Sequence, residues 1–108
     1  MERKEAIRAF KERKAERGIF ALRCMVTGQV WVESSLNLEA AHNGLFHFLR
    51  NGYHSDAALQ AEWNAHGSEA FQYEVLEKLA DDVLTIEARD QLKEKKLRWA
   101  AQCDARML

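Results

Sequence analysis

The sequence has 108 residues, of which 47% are hydrophobic and none is proline, and its net charge is −1. This is typical of one globular domain with its own core. It has no apolar run of about 18 residues or more, the length that crosses a bilayer, so we expect no membrane span and no membrane partner. The chain is charged from residue 2 onward, so we expect no signal peptide.

The small net charge conceals a division of charge along the chain. Residues 1–17 hold seven lysines and arginines against four glutamates, whereas residues 18–77 hold two basic residues against seven carboxylates. Nucleic-acid binding depends mainly on neutralising phosphates with Lys and Arg. The N-terminal segment therefore suits nucleic acid, and the acidic middle of the chain is a poor surface for phosphate.

The two cysteines, Cys24 and Cys103, lie far apart in the sequence. Cys24 falls in a predicted buried strand, where we interpret it as a small core thiol. Two isolated cysteines of this kind are typical of a reducing compartment, and we expect a cytoplasmic protein.

The first predicted element is a helix over residues 2–16, in which Ile7 and Phe10 lie three positions apart among charged residues. It is either a solvated helix that packs by one narrow stripe or a basic arm for nucleic acid. We therefore divide the chain into an N-terminal basic helix, residues 1–17, and a domain over residues 18–108.

Two predicted strands follow, over residues 19–26 and 29–33, joined by a two-residue Thr-Gly turn. In this register Cys24 lies opposite Trp31. Because side chains alternate along a strand, Phe20 and Trp31 point to the same side of the sheet. The residues predicted on that side are Phe20, Leu22, Cys24, Val26, Trp31 and Glu33.

Three helices and one more strand complete the prediction. The helices cover residues 38–50, 56–66 and 83–102, and an alternating strand covers residues 71–76. Asn37 is the expected N-cap of the first of these helices. The apolar set predicted for the last helix consists of Val83, Ile86, Leu92, Leu97 and Trp99. The fold class is α+β, with a small three-stranded antiparallel sheet flanked by helices, plus the N-terminal helix.

Five segments of the sequence, in this order, resemble one known family. They are "GIF", "VWVESS", "NLEAAHNGLFHFLRNGYH", "LQAEWNAHG" and "FQYEVLE". Together they are similar to the GIY-YIG nuclease domain, whose pattern they follow over residues 18–77 without a gap. The final helix follows the pattern more loosely.

The resemblance implies an endonuclease. In that family a tyrosine from each of two motifs, a helix arginine and a helix histidine surround the scissile phosphate, and a glutamate on a later helix holds one divalent metal. Such groups serve phosphodiester chemistry as base, as cation for the phosphoryl charge and as Lewis acid. We expect no cofactor, except Mg²⁺ or Mn²⁺ if the site is active.

Most of these positions carry other residues in this sequence. The resemblance places the two tyrosines at Phe20 and Trp31, the arginine at Ala41 and the helix histidine at Leu45. His54, from a Gly-x-His turn, is retained as either a catalytic group or a surface or capping histidine. None of the four substituted residues supplies a phenol, guanidinium or imidazole.

Three further assignments follow from the same comparison. Glu33 takes the place of a motif glycine and adds negative charge beside the expected phosphate. The metal ligand falls on Asp90 or, with a slip of one helical turn, on Glu94. The candidates for nucleic-acid contact are Arg23, Lys93 and Lys96.

These observations favour a nuclease-fold protein that has lost most or all endonuclease activity and retains a binding role toward nucleic acid or protein. One alternative is an active metal-dependent DNA endonuclease with a rearranged site built from Glu33, His54 and a late-helix carboxylate. Another is a protein-interaction or self-associating module that uses the apolar face of Ala41, Leu45 and Phe48. We expect the surface around Phe20, Trp31, Ala41 and Leu45 to be at least partly filled by side chains.

Overall fold

The computed structural model describes residues 15–108. The predicted helix over residues 2–16 therefore lies almost entirely outside the described residues. The strands are β1 Gly18–Cys24, β2 Val30–Ser35, β3 Phe71–Lys78 and β4 Arg106–Met107, and the helices are α1 Leu38–Arg50, α2 Ala57–His66 and α3 Thr85–Gln102. A single 3₁₀ turn, Ser68–Ala70, precedes β3. None of these helices is long and apolar enough to cross a membrane.

The four strands form one sheet in the order β3-β1-β2-β4. β1 pairs antiparallel with β2 and β3, and the two-residue β4 pairs in parallel with β2. The predicted α+β class is confirmed, and β4 is a small addition to the three predicted strands. β4 was not predicted, because a strand of two exposed residues shows no alternation of apolar and polar side chains.

The predicted pairing of β1 with β2 is wrong by two positions, although the predicted orientation of the side chains is correct. Leu22, and not Cys24, lies opposite Trp31. The connection is longer than the predicted two-residue turn, because the amide of Cys24 donates to the carbonyl of Gln29 at 2.9 Å and the amide of Gly28 to the carbonyl of Cys24 at 2.8 Å. A shift of two positions keeps the side chains of the paired residues on their predicted side of the sheet. Phe20 and Trp31 therefore still share one side. Val26, also predicted on that side, is an exception, because β1 ends at Cys24 and Val26 is 64% exposed.

Both sides of β1 and β2 are covered by helices. The side that carries Phe20 and Trp31 packs against α1 and α2 in a core of eleven buried residues. They are Phe20, Leu22, Cys24, Trp31, Leu38, Leu45, Leu49, Leu59, Trp63, Ala70 and Phe71. The other side carries Ile19, Ala21, Val30 and Val32, which pack against Leu92 of α3. This double burial explains the nearly continuous apolar run of β1.

A β-bulge in β3 divides that strand between the two cores. Ile19 pairs with Glu77 while Phe20 pairs with Val75, so Leu76 is the extra residue. Before the bulge, Tyr73 packs on the α1 side; after it, Leu76 packs in the α3 core. The strand was predicted as a simple alternation over residues 71–76, and the bulge ends that alternation.

The predicted N-cap of α1 is confirmed, and Asp56, predicted as the first residue of the next helix, is the N-cap of α2. The Asn37 side chain accepts a hydrogen bond from the amide of Ala40, and that of Asp56 accepts one from the amide of Leu59, both at 3.0 Å. Each satisfies an amide that the first turn of a helix leaves unpaired.

The predicted apolar set of α3 is correct for Leu92 and Trp99 and wrong for Ile86 and Leu97. Leu92 is buried and Trp99 packs in the same core, whereas Ile86 and Leu97 are 79% and 51% exposed. The helix also buries Ala88 and Ala100, whose small side chains carry little hydrophobic signal. The pattern of large apolar residues therefore identified the inner side of α3 only in part.

Candidate active site

Four of the five residues that the resemblance assigns to the catalytic site, Phe20, Ala41, Leu45 and His54, line a surface pocket of about 580 Å³. The sheet contributes Phe20 and Glu33, and the remaining walls come from α1, from the turn before α2 and from the end of the chain. The full lining consists of Phe20, Glu33, Ala40, Ala41, Gly44, Leu45, Phe48, His54, Ser55, Asp56 and Leu108. The sequence comparison had singled out Phe20, Glu33, Ala41, Leu45, Phe48 and His54 of these.

Phe20 and Glu33 meet in the pocket because they are direct partners in the β1–β2 ladder. Phe20 is almost fully buried and stacks on Tyr73, with 5.0 Å between the ring centroids. The Tyr73 hydroxyl donates to the carbonyl of Leu38 at 3.1 Å, and burial raises the pKa of this phenol. The one phenol beside Phe20 in the described chain is thus engaged in holding the start of α1.

Trp31 does not line the pocket. It is 1% exposed and packs in the core beside Phe71, with 6.3 Å between the ring centroids. Its indole nitrogen finds no hydrogen-bond acceptor among residues 15–108. The position where the family has its second tyrosine is therefore occupied by a core side chain.

Ala41 and Leu45 form the apolar wall on α1, and Leu45 is buried. The neighbouring histidines of α1 point elsewhere: His42 stacks on Tyr73 with 4.3 Å between centroids, and His47 lies near Asn51 and Phe48. No lysine or arginine appears in the pocket lining formed by the described residues. On the apolar face of α1, Leu45 is buried, Ala41 is partly buried and Phe48 is half exposed.

His54 has a defined structural role in the turn before α2. Its ring nitrogen Nδ1 accepts a hydrogen bond from the amide of Asp56 at 3.0 Å, and its own amide donates to the Gln60 side chain at 3.1 Å. Gln60 in turn donates to the carbonyl of Leu49 at 3.0 Å. This network joins the end of α1 to the start of α2, and it places His54 and Asp56 at the pocket.

Glu33 is paired with Lys96 of α3, with 2.8 Å between Oε1 and Nζ. The same oxygen accepts from the amide of Ser34 at 2.9 Å. Lys96 also donates to the main-chain oxygen of Leu108 at 2.8 Å. The ammonium nearest to the pocket is thus held by two acceptors.

The remaining candidates for nucleic-acid contact differ in their surroundings. Arg23 pairs with Glu74 at 3.0 Å, in a partly exposed contact. Lys93 is exposed on α3 and makes no hydrogen bond or ion pair with any residue in the described part of the chain. Of the three basic candidates, Lys93 has the most freely available charge.

The two carboxylates considered as metal ligands lie on the exposed surface of α3, and neither lines the pocket. Glu94 pairs with Arg98 at 3.3 Å, and Asp90 is exposed one turn before it. Over residues 15–108, no three His, Cys, Asp or Glu side chains group so as to hold a metal ion. Since neither Asp90 nor Glu94 lines the pocket, neither is placed to hold there the divalent metal that the resemblance implies.

Comparison with known structures identifies the fold. No protein-family model matches the sequence, and no curated protein sequence matches it. The catalytic domain of the homing endonuclease I-TevI matches with a TM-score of 0.72 and 24% identity, over 85% of this chain and 97% of that one. A mutant of the same domain of this intron endonuclease matches with a TM-score of 0.70 and 25% identity, over 82% and 84% of the two chains. I-TevI is a GIY-YIG homing endonuclease, and this chain therefore has the GIY-YIG nuclease fold that its sequence motifs predicted.

Proposed function

We propose that this chain is a nuclease-fold protein that binds a partner at the former cleavage site and has lost most or all of its endonuclease activity. One observation carries the proposal. A pocket lies where the resemblance places catalytic groups, and its walls there include Phe20, Ala41 and Leu45. Hydrocarbon side chains thus occupy the positions for which the resemblance implies reactive groups.

The chemistry of phosphodiester hydrolysis supports the loss of activity. Cleavage needs a base for the nucleophile and positive charge for the phosphoryl oxygens. Phe20 and Leu45 cannot transfer a proton, and Ala41 cannot offset charge. Loss of one electrostatic donor typically lowers a rate by about 10²–10³, and here several such groups are missing together.

The charges of the residues that line the pocket also support the loss of endonuclease activity. Glu33 and Asp56 bring carboxylates to the pocket, and no lysine or arginine is among the described lining residues. Lys96 is engaged by Glu33 and Leu108. A phosphate entering the pocket would meet negative charge without a free cation.

A binding role is supported by the pocket itself. Its volume lies within the range of ligand sites, about 300–1,000 Å³, and its lining combines apolar walls with a few polar groups. The fold neighbours are endonucleases, so nucleic acid is one candidate partner. Protein is the other. We also propose a reducing, cytoplasmic location, which the two free thiols Cys24 and Cys103 support.

The other two functions are supported less well. A rearranged active site would have to combine Glu33 and His54 with Asp90 or Glu94, yet neither of the last two lines the pocket. A self-association module would need an exposed apolar face on α1, and Leu45 in the middle of that face is buried.

The test is a cleavage assay with supercoiled plasmid and branched DNA, at high protein concentration, with Mg²⁺ or Mn²⁺. We expect no nicking above the level of a heat-denatured sample, with an active nuclease as positive control. A mobility-shift assay at low and near-physiological salt measures binding separately, since purely electrostatic binding is lost as salt rises. Metal-dependent nicking that co-purifies with the folded protein would refute the proposed loss of activity.

A further inference from the structure

We infer that the pocket recognises the side chain of an arginine or lysine from a partner protein, and not a phosphate. This inference rests on the proposed function, because it names the partner of the same pocket. It follows from three properties of the lining: an apolar wall, carboxylate oxygens left without partners, and the absence of a free cation among the described lining residues.

The apolar wall suits the methylene stem of such a side chain. Ala41, Leu45 and Phe20 form its inner part, and Phe48 stands half exposed at its margin. Gly44 keeps the α1 wall open, since a Cβ added there would meet nothing within 4 Å. Lysine and arginine commonly lay their stems along apolar surface while the charged head reaches polar groups.

The polar part of the lining is rich in acceptors. Asp56 uses one carboxylate oxygen to cap α2, and the other accepts no hydrogen bond from any described residue. Glu33 likewise uses only Oε1, for Lys96 and the amide of Ser34. A guanidinium or ammonium group offers several donors and no acceptor, which complements two carboxylates with free oxygens.

The charge of the pocket selects against an anion. The side-chain charges among its described lining residues are the carboxylates of Glu33 and Asp56, and the Lys96 ammonium that compensates one of them is 20% exposed. His54 uses Nδ1 as an acceptor for the amide of Asp56. One carboxylate, Asp56, therefore remains without a cationic partner among residues 15–108.

A protein is favoured as the source of the cation by the surroundings of the pocket. Phe48 lines the pocket and is 50% exposed, so an apolar ring is available for contact beside the carboxylates. An arginine or lysine carried on a folded or extended segment would bring neighbouring side chains over Phe48. Arginine is also among the residues most enriched at the centres of protein interfaces.

The test uses three probes added to the ¹⁵N-labelled protein and followed by amide chemical shifts. The first is acetyl-Ala-Arg-Ala-amide, the second is the same peptide with citrulline, which has a neutral head of nearly the same shape, and the third is a thymidine tetranucleotide. We expect the arginine peptide to shift the amides of Gly44, His54 and Ser55 and to bind about three- to fivefold more tightly than the citrulline peptide, as for a partly exposed ion pair.

Two variants locate the interaction. Asp56→Asn removes the charge but keeps a side-chain acceptor for the α2 cap, so it should abolish the preference for arginine over citrulline without unfolding the protein. Glu87→Gln, on the exposed surface of α3, is the matched control and should leave the preference intact. An Asp56→Asn variant that still prefers arginine contradicts the inference.

The outcomes also separate this inference from the proposed function. If the tetranucleotide shifts the pocket amides and the arginine peptide does not, the inference is wrong while a binding role stands. If neither peptide nor tetranucleotide shifts these amides, the inference is wrong and the binding role of the pocket fails with it. Efficient cleavage of DNA would instead refute the proposed loss of activity, whatever the peptides do.

Discussion

Phe20 lies directly opposite Glu33 in the β1–β2 ladder, and both side chains line the pocket. The resemblance places a tyrosine and a glycine at these two positions in an active nuclease. Here a hydrocarbon ring and a carboxylate take their place, so neither proton transfer through Phe20 nor close approach of a phosphate at Glu33 is favoured. The consequences can be measured.

Ala41→Arg should reverse the charge preference of the pocket. The guanidinium would lie on the α1 wall beside Glu33, so we expect weaker binding of the arginine tripeptide and stronger binding of the thymidine tetranucleotide. The change in affinity should be about three- to tenfold in each direction, measured by amide chemical shifts. We expect no plasmid nicking, because one cation supplies neither a base nor a metal site. Ala61→Arg, on the exposed surface of α2, is the control, and an equal effect there would contradict the prediction.

Trp31 should behave as a core residue and not as a ligand contact. Trp31→Ala should lower the free energy of unfolding by about 3–5 kcal/mol, the usual cost of removing a large buried aromatic side chain. Trp31→Phe should cost less, because it also removes an indole donor that has no partner among the described residues. Urea denaturation measures both. Similar small losses for the two variants would show that Trp31 is not tightly packed.

Protonation of Glu77 should lower the free energy of unfolding at acidic pH. Hydrogen bonds from Lys95, which also attracts its charge, and from Trp99 hold the pKa of this carboxyl below its ordinary value of 4.5. The pKa of Glu77 is lower in the folded than in the unfolded state. The stabilisation by ionised Glu77 is therefore fully present above pH 4.5 and is lost as the pH falls through the pKa of the folded state. Wild type should therefore lose stability below pH 4.5 more steeply than Glu77→Gln.

The matched control for Glu77 is Glu74→Gln, which removes a more exposed carboxylate paired with Arg23. Exposed ion pairs contribute little, at most about 1 kcal/mol, so this variant should follow the wild-type dependence on pH. Urea midpoints from pH 3 to pH 7 measure both. Equal slopes for wild type and Glu77→Gln would contradict the role of Glu77.

Gly18 and Gly44 should respond oppositely to alanine. A Cβ on Gly18 would overlap the carbonyl oxygen of Glu77 on β3, which is backbone and cannot easily move. Gly18→Ala should therefore destabilise the protein by about 1–3 kcal/mol. Gly44→Ala, in the middle of α1 with open space around the new methyl group, should stabilise it by about 0.5–1 kcal/mol. Thermal unfolding of the two variants under one condition tests these opposite effects. A stabilised Gly18→Ala protein would refute the close approach of Gly18 to the carbonyl of Glu77.

Local patterns in the sequence predicted the parts of the fold that depend on local physics. The cap at Asn37 is found where a short polar side chain precedes an amphipathic helix. The prediction that Phe20 and Trp31 lie on the same side of the sheet was also correct. It is unaffected by an error of an even number of positions in the strand register, because side chains alternate with a period of two. The predicted pairing of β1 with β2 was wrong, because the two strands are joined by a longer loop than the two-residue Thr-Gly turn. Backbone hydrogen bonds between Cys24 and Gln29 and between Cys24 and Gly28 close this loop.

Features set by tertiary packing were not predicted. The inner side of α3 is decided by small residues, Ala88 and Ala100, which carry little hydrophobic signal. The bulge at Leu76 and the strand β4 likewise arise from the fit between elements distant in sequence. In the pocket, Ser55, Asp56 and Leu108 were missed because no family motif marks them. A search for carboxylates at helix N-caps next to the Gly-x-His turn could have found Asp56.

The bulge at Leu76 has a consequence for how this protein behaves at high concentration. β4 covers part of the outer edge of β2, whereas the outer edge of β3 has no partner among the described strands. An open edge of eight residues could template association between molecules, but the bulge breaks its regular spacing and Glu74 and Lys78 bring charge to it. Concentrated samples should therefore resist growth of intermolecular sheet, and a variant that straightens and neutralises β3 should be more prone to form fibres.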